Sequence, residues 1–264
     1  MSILLIDIGN SRLKWAIASS NGDLHADFIG QGASKNDSPD QLAQFDQLSK
    51  NQAIEKIICS SVISKDQTLA LKNHLKTIMP QAPWFQINGA SAIEHLGSQY
   101  DQPEQLGTDR RAMALGAHQM FPDKNVLVIG AGTATTIDLI TPTHHMGGWI
   151  IPGMALMTNA LNLNTAQLPK VSTDQEKSSL TIGTNTNDAI HQGILASHLG
   201  AISMAQAYAK NQQIKLDLMI VTGGNAKTLA ALLKESSSAV PVHHEEQLVL
   251  KGLLAWNKMG LNHE

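Results

Sequence analysis

The sequence predicts an α/β protein built of two related half-domains. Short apolar strands alternate with amphipathic helices along its 264 residues, the pattern of sheets with helices packed on them. Segments 3–17 and 126–140 share one plan: strand, Gly-rich turn, strand. The length allows one large domain or two modest ones, either with a full core. The division is expected near residue 115, giving half-domains 1–115 and 116–264.

Each element has its local reason. Ile3-Leu4-Leu5-Ile6 is a buried strand, and Lys14-Trp15-Ala16-Ile17-Ala18 returns beside it across a Gly-Asn-Ser tip. Residues 30–53 are polar and irregular around Pro39, although Leu42, Phe45 and Leu48 allow a helix over 40–50. Residues 56–62 are the next strand, and 64–79 an amphipathic helix stopped by Pro80. Residues 84–87 read as a strand, 97–108 as a loop punctuated by Gly and Pro, and 111–121 as an Ala-rich helix. Residues 125–129, 135–140 and 146–151 are three strands, the last ended by Pro152-Gly153. Ile190, Ile194, Leu195, Leu199 and Ile202 give one apolar face to a long helix over 188–210. A late strand at 218–221 turns through Gly223-Gly224 into a helix over 226–235, and 248–256 is the last helix.

Composition narrows the function. Hydrophobic residues are 42% and charged residues 16%, which excludes a disordered chain. The net charge of −3 gives no general polyanion-binding surface, so nucleic acid is not an expected partner. The single cysteine, Cys59, fits a reducing cytoplasm. The N-terminus lacks a basic stretch and reaches Asp7 too soon for a signal peptide, and no apolar run is long enough to span a membrane.

Several nucleotide and metal motifs are absent. There is no Walker loop. Gly130-Ala131-Gly132 starts like a dinucleotide fingerprint, but the third Gly is missing and a strand follows. The pairs His144-His145 and His243-His244 put neighbouring side chains on opposite faces of a strand, a poor metal site. Three turns remain, each after an apolar strand: Gly9-Asn10-Ser11, Gly132-Thr133 and Gly223-Gly224. Glycine lets backbone N–H groups approach an anion, and small polar side chains add donors. The third turn also opens a helix, whose N-terminus favours negative charge. Any one alone reads more readily as an ordinary connection; together, facing one ligand, they would hold a nucleotide.

The order Asp7-x-Gly9-Asn10-Ser11, Gly132-Thr133-Ala134-Thr135-Thr136, Gly223-Gly224-Asn225 resembles the actin-like ATPase superfamily. Within it the chain resembles the type III pantothenate kinases. That resemblance lies in the first turn with Lys14, in Tyr100-x-x-Pro103-x-x-Leu106-Gly107-Thr108-Asp109-Arg110, in the second turn, and in Gly147-Gly148-Trp149-Ile150-Ile151-Pro152-Gly153. It implies two actin-like (ribonuclease H-like) half-domains, each a mixed sheet flanked by helices, with an ATP cleft between them. It also implies phosphorylation of pantothenate from Mg-ATP, the first step toward coenzyme A, by a cytoplasmic homodimer.

The resemblance assigns roles. Asp7 faces the phosphates through Mg²⁺ or water; hard cations take oxygen ligands, whereas a bland reading makes it a turn former. Gly9, Asn10, Ser11, Arg12, Lys14, Gly132 and Thr133 are the other expected ATP contacts. Asp109 is the expected general base for the substrate hydroxyl; otherwise Asp109 or Thr108 caps a helix. Tyr100, Gly107, Thr108, Asp109 and Arg110 are expected around pantothenate, with Thr186, which also reads as a helix cap. Arg111 is expected to be structural or at the surface, and Asp138 has no derivable role. Relatives carry Asp where this chain has Gly130, and that carboxylate helps bind K⁺ or NH₄⁺, so cation dependence is expected to be lost here. Two rival readings are a non-catalytic regulatory relative of the accessory transcription factor type and another small-molecule kinase of the superfamily. Retention of Asp7, Asp109 and Arg110 weighs against the first, and the segment 100–110 against the second.

Overall fold

A computed structural model of the chain describes residues 2–36, 40–93, 95–164, 179–236 and 239–259. The chain divides into two units, Met1–Pro122 with Leu248–Glu264, and Asp123–Gln247. The boundary expected near residue 115 falls inside a helix, and the last helix belongs with the first unit, not the second.

In the first unit β1 (Ser2–Ile8), β2 (Arg12–Ser19), β3 (Gly30–Lys35), β4 (Ile54–Ser61) and β5 (Trp84–Gln86) form a sheet in the order β3-β2-β1-β4-β5. The first three pair antiparallel, and β4 and β5 continue in parallel. One face, with Leu4, Ile6, Ile8, Ile57 and Cys59, packs on Phe45 and Leu48 of α1 (Asp40–Asn51) and on Leu71 and Leu75 of α2 (Lys65–Ile78). The other face, with Ile3, Leu5 and Ile58, is covered by α3 (Thr108–Met120) and α7 (Leu248–Lys258). Burial of both faces explains the unbroken apolar run of β1. Helices α3 and α7 touch at glycines. A Cβ on Gly252 would lie 1.9 Å from the Ala112 carbonyl oxygen, and one on Gly116 2.7 Å from that of Leu248. This contact is why the C-terminal helix returns to the first unit.

The second unit repeats the plan. Strands β7 (Val126–Ala131), β8 (Ala134–Ile140), β9 (His144–Pro152), β10 (Leu218–Thr222) and β11 (Val242–His244) run in the order β9-β8-β7-β10-β11. Again three strands are antiparallel and two are added in parallel. Leu127, Ile129, Ile137 and Val221 pack on Ile202 and Ala205 of α5 (Thr186–Asn211) and on Leu229 and Leu233 of α6 (Ala226–Glu235). The echo between segments 3–17 and 126–140 is thus a repeated five-strand topology.

Differences from expectation have local causes. Residues 30–35 are not irregular but an edge strand whose side chains alternate between half-buried and exposed, with no apolar run to reveal it. Pro39 lies outside the described residues. The loop 97–108 contains β6 (Gly97–Ser98) and a 3₁₀ turn at Pro103–Gln105. Strand β11 and α4 (Met154–Asn164) were not anticipated. Among the described residues no helix is long and apolar enough to cross a membrane.

Candidate active site

The site residues of the first unit gather at the C-terminal ends of β1 and β4. Asp7 is near the end of β1, directly across from Lys14 on β2 and Ser60 on β4. Burial pushes its carboxyl up from 3.8 to about 7; the negative charge of Asp109 raises it further, and Lys14 opposes the shift. Asp7, Asp109 and Lys14 therefore share one electrostatic neighbourhood.

Helix α3 brings Asp109 there. Its N-cap is Gly107, not Thr108 or Asp109. Asp109 Oδ1 accepts from the backbone N–H of Arg110 at 2.8 Å. This carboxylate folds back over Gly107, where a Cβ would stand 2.7 Å from Oδ1. A glycine at 107 thus gives the carboxylate its room.

Thr108 ties the helix start to β4. Its hydroxyl donates to the Ser61 carbonyl at 2.9 Å and accepts from the Ser61 N–H at 3.1 Å. A hydroxyl has one proton, so in the 3.0 Å contact with Ser60 Oγ the serine is the donor. Ser61 Oγ continues to Thr68 Oγ1 at 2.7 Å, at the start of α2. The hydroxyl of Thr108, a residue expected to line a substrate pocket, is engaged in fixing the helix start. Ser60 and Ser61 were not singled out, and their signal was two small hydroxyl residues ending an apolar strand.

Tyr100 and Arg110 come together. The guanidinium of Arg110 donates to Tyr100 Oη and lies 5.5 Å from the ring centroid. Arg110 is buried. Arg111 is buried rather than at the surface. It donates to the carbonyls of Ser91 and Leu96 at 3.0 and 3.3 Å, and burial lowers its pKa to about 10. Its role is to hold the segment leading to Tyr100.

Residues of the first turn, Asn10, Ser11 and Arg12, are exposed at the tip of the β1–β2 hairpin. In the second unit the two other turns converge. Gly153 donates to the Thr133 carbonyl at 3.0 Å, and a Cβ on it would lie 2.4 Å from the Gly132 and Thr133 oxygens. Gly223 has φ +98°, and Asn225 donates to the Ala131 carbonyl at 3.0 Å. Gly132 and Thr133 are therefore flanked by the starts of α4 and α6. Gly130 pairs with Thr136 on β8 and Thr222 on β10.

Thr186 is the first residue of α5, but its N-cap is Asn185, whose side chain accepts from Asp188 N–H at 3.0 Å. Thr186 lines a groove of about 920 Å³ with Pro152, Leu156, Leu161, Ile190 and Ile194. Asp138 has a partner: its Oδ1 lies 2.7 Å from Nε2 of buried His145, while His144 on the opposite face is exposed. Among the described residues no three His, Cys, Asp or Glu are grouped to hold a metal.

The description of type III pantothenate kinase fits residues 3–208 as a family model. The chain is 35% identical over 257 residues to a type III pantothenate kinase of Acinetobacter baylyi, covering 96% of each chain. The chain belongs to the type III pantothenate kinase family. It is also 34% identical over 261 residues to a type III pantothenate kinase of Herminiimonas arsenicoxydans, covering 95% of each. Among solved structures, the Lmo2764 protein of Listeria monocytogenes matches with TM-score 0.58 at 16% identity, covering 98% of this chain and 99% of that one. The activator of 2-hydroxyisocaproyl-CoA dehydratase from Clostridium difficile, with bound ADPNP, matches with TM-score 0.52 at 10% identity, covering 98% and 95%. These two likenesses show the fold, two mixed sheets flanked by helices. The type III pantothenate kinases phosphorylate pantothenate, and that is the activity of this chain.

Proposed function

We propose that the chain transfers the γ-phosphoryl of Mg-ATP to the primary hydroxyl of pantothenate, with Asp109 as the general base. The observation that carries this is the placement of Asp109: a carboxylate at the start of α3, beside Asp7, with Arg110 and Tyr100 adjoining. The hydroxyl oxygen forms the new P–O bond, its proton passes to Asp109, and ADP leaves. Arg110 offers a fork of donors for the pantothenate carboxylate or the transferring phosphoryl group. Tyr100 gives that pocket an apolar wall, and Gly107 leaves space beside the base.

Asp7 fits a Mg²⁺ held through water. Its carboxylate supplies an oxygen donor beside a turn, and Mg²⁺ characteristically takes most of its ligands from phosphates and water. The bound ion would neutralise phosphate charge. Gly9, Asn10, Ser11, Arg12 and Lys14 are assigned to the phosphates on the same reading, and Gly132 and Thr133 on the family pattern.

A homodimer is supported by the second unit. Leu156 and Leu161 line the groove at Thr186 and are exposed, and Ile182, the neighbour in sequence of Gly183 in that lining, is 92% exposed. Apolar side chains shown to water beside a groove are a surface that a second copy of the chain would bury. The free, buried Cys59 is in keeping with the cytoplasm.

The deciding experiment is purified protein with ATP, Mg²⁺ and pantothenate, assayed for phosphopantothenate. Product above a no-enzyme control is expected. Its absence across several monovalent cations would sink the reading. Sedimentation of Ile182→Asp against the unmodified protein tests the dimer: a shift to monomer is expected, and a monomeric unmodified protein would overturn it.

A further inference from the structure

We propose that Asn36 is a positioning residue for the phosphate-binding turn, fixing which way its peptide groups face. This rests on the reading that Gly9-Asn10-Ser11 takes the phosphates of ATP. Asn36 follows directly on β3, whose last residue, Lys35, pairs with Arg12. Its side-chain Nδ2 donates to the Gly9 carbonyl at 2.6 Å and to the Asn10 carbonyl at 2.9 Å. Its backbone N–H donates to the Ser11 carbonyl at 3.4 Å. One residue thus engages the carbonyls of Gly9, Asn10 and Ser11 in succession.

The consequence follows from the planar trans peptide, in which C=O and N–H point in opposite directions. Drawing the Gly9, Asn10 and Ser11 carbonyls toward Asn36 turns the N–H groups of Asn10, Ser11 and Arg12 the other way. Among the described residues the Asn10 N–H has no backbone acceptor. Successive N–H groups on one side of a turn make an anion-binding concavity. Engaging the carbonyls also keeps their lone pairs from facing the phosphate oxygens.

Asn36 is itself held. Ser34 Oγ on β3 accepts from Gln44 Nε2 at 3.1 Å, and Gln44 Oε1 accepts from Trp15 Nε1 on β2 at 2.7 Å. Helix α1 therefore braces the strand that delivers Asn36. Pre-set donors lose less on binding than donors that must be ordered by the ligand.

The test is calorimetry with Mg-ATP and with pantothenate, separately, on the unmodified chain, Asn36→Ala and Asn36→Asp, with thermal melts alongside. Asn36→Ala should weaken Mg-ATP about tenfold, the scale of two ordinary hydrogen bonds. Pantothenate affinity should stay within about twofold, a difference smaller than one such bond. Asn36→Asp keeps the size, removes both donors and sets a carboxylate against the carbonyls, so it should weaken Mg-ATP more. Unchanged Mg-ATP affinity in both variants overturns the proposal while leaving the turn's assignment standing. Equal loss of both ligands in both variants overturns it too. An unmodified chain that binds pantothenate but no Mg-ATP removes the assignment and the proposal together.

Discussion

The Asp109 carboxylate raises the proton affinity of Asp7, so the expected base and the expected Mg²⁺ ligand are not independent groups. Asp7 titrates near 7, with burial the larger cause and Asp109 the second. Two nearby carboxylates resist carrying charge together. Bound Mg²⁺ would relieve this by favouring both charges.

Neutralising the base should therefore do two things. Asp109→Asn should lower turnover by roughly 10²- to 10⁴-fold, the usual worth of a positioned acid–base group. It should also bring the Asp7 pKa down from about 7, while burial still keeps it above 3.8. Carbon-detected NMR titration of the Asp7 carboxyl reads the second effect without any turnover. An unmoved Asp7 would mean the two carboxylates do not interact.

Stability should answer to Asp7 with a definite sign. Its folded pKa is raised, so between 3.8 and about 7 the folded state binds the proton that the unfolded state has released. Stability is then lost as pH rises through that window and is level above it. Asp7→Asn removes this loss. Its melting temperature should match the unmodified protein near pH 4 and exceed it at pH 8, by roughly 2–4 °C for each kcal/mol recovered. A constant difference across pH would assign the effect to packing.

Thr108 should act through its three contacts with β4. Thr108→Val keeps the shape and leaves the Ser61 N–H and carbonyl without that partner. The cost should be about 1–3 kcal/mol in denaturant unfolding. Turnover should fall as Asp109 loses its anchor, with the KM for ATP little changed. Thr108→Ser should restore both. A valine variant with normal turnover would make the tie purely structural.

Potassium should matter little. Gly130 sits between Thr136 and Thr222 and offers no side-chain ligand. Adding K⁺ or NH₄⁺ to a bulky-cation buffer should change activity by less than about threefold, well under the ~1.4 kcal/mol of a tenfold effect. Gly130→Asp should create a dependence, visible as a higher melting temperature in K⁺ than in the bulky cation. Strong activation of the unmodified chain by K⁺ would contradict this.

Much of the arrangement was legible in the sequence where chemistry and pattern coincide. The apolar run at residues 3–6 and its echo at 126–129 marked the central strands, and Gly107 to Arg110 opens α3. What escaped was set by long-range contact. Strand β3 is polar because it lies at an edge. Asn36 gave no local sign, since its acceptors are 26 and 27 residues earlier in the chain. The tie of Thr108 to Ser60 and Ser61 gave no local sign either, since those partners are 48 and 47 residues earlier in the chain. Asn185 took the capping role from Thr186 by lying one residue earlier. The division near 115 failed because a close approach of Gly116 and Gly252 cannot be read from either helix alone.

That crossing of α3 and α7 has a consequence for biosynthesis. The helix that carries Asp109 at one end is seated, along its length, on a helix that begins at Leu248. A nascent chain leaving the ribosome exposes residues 108–120 long before their partner is made, and domains that form during synthesis do so as soon as their parts are available. The part of α3 that α7 covers therefore stays without that partner until the whole of the second unit has been translated. The first unit's maturation is a late event even though its sequence is early, and a chaperone that recognises apolar helices would find its target in that interval.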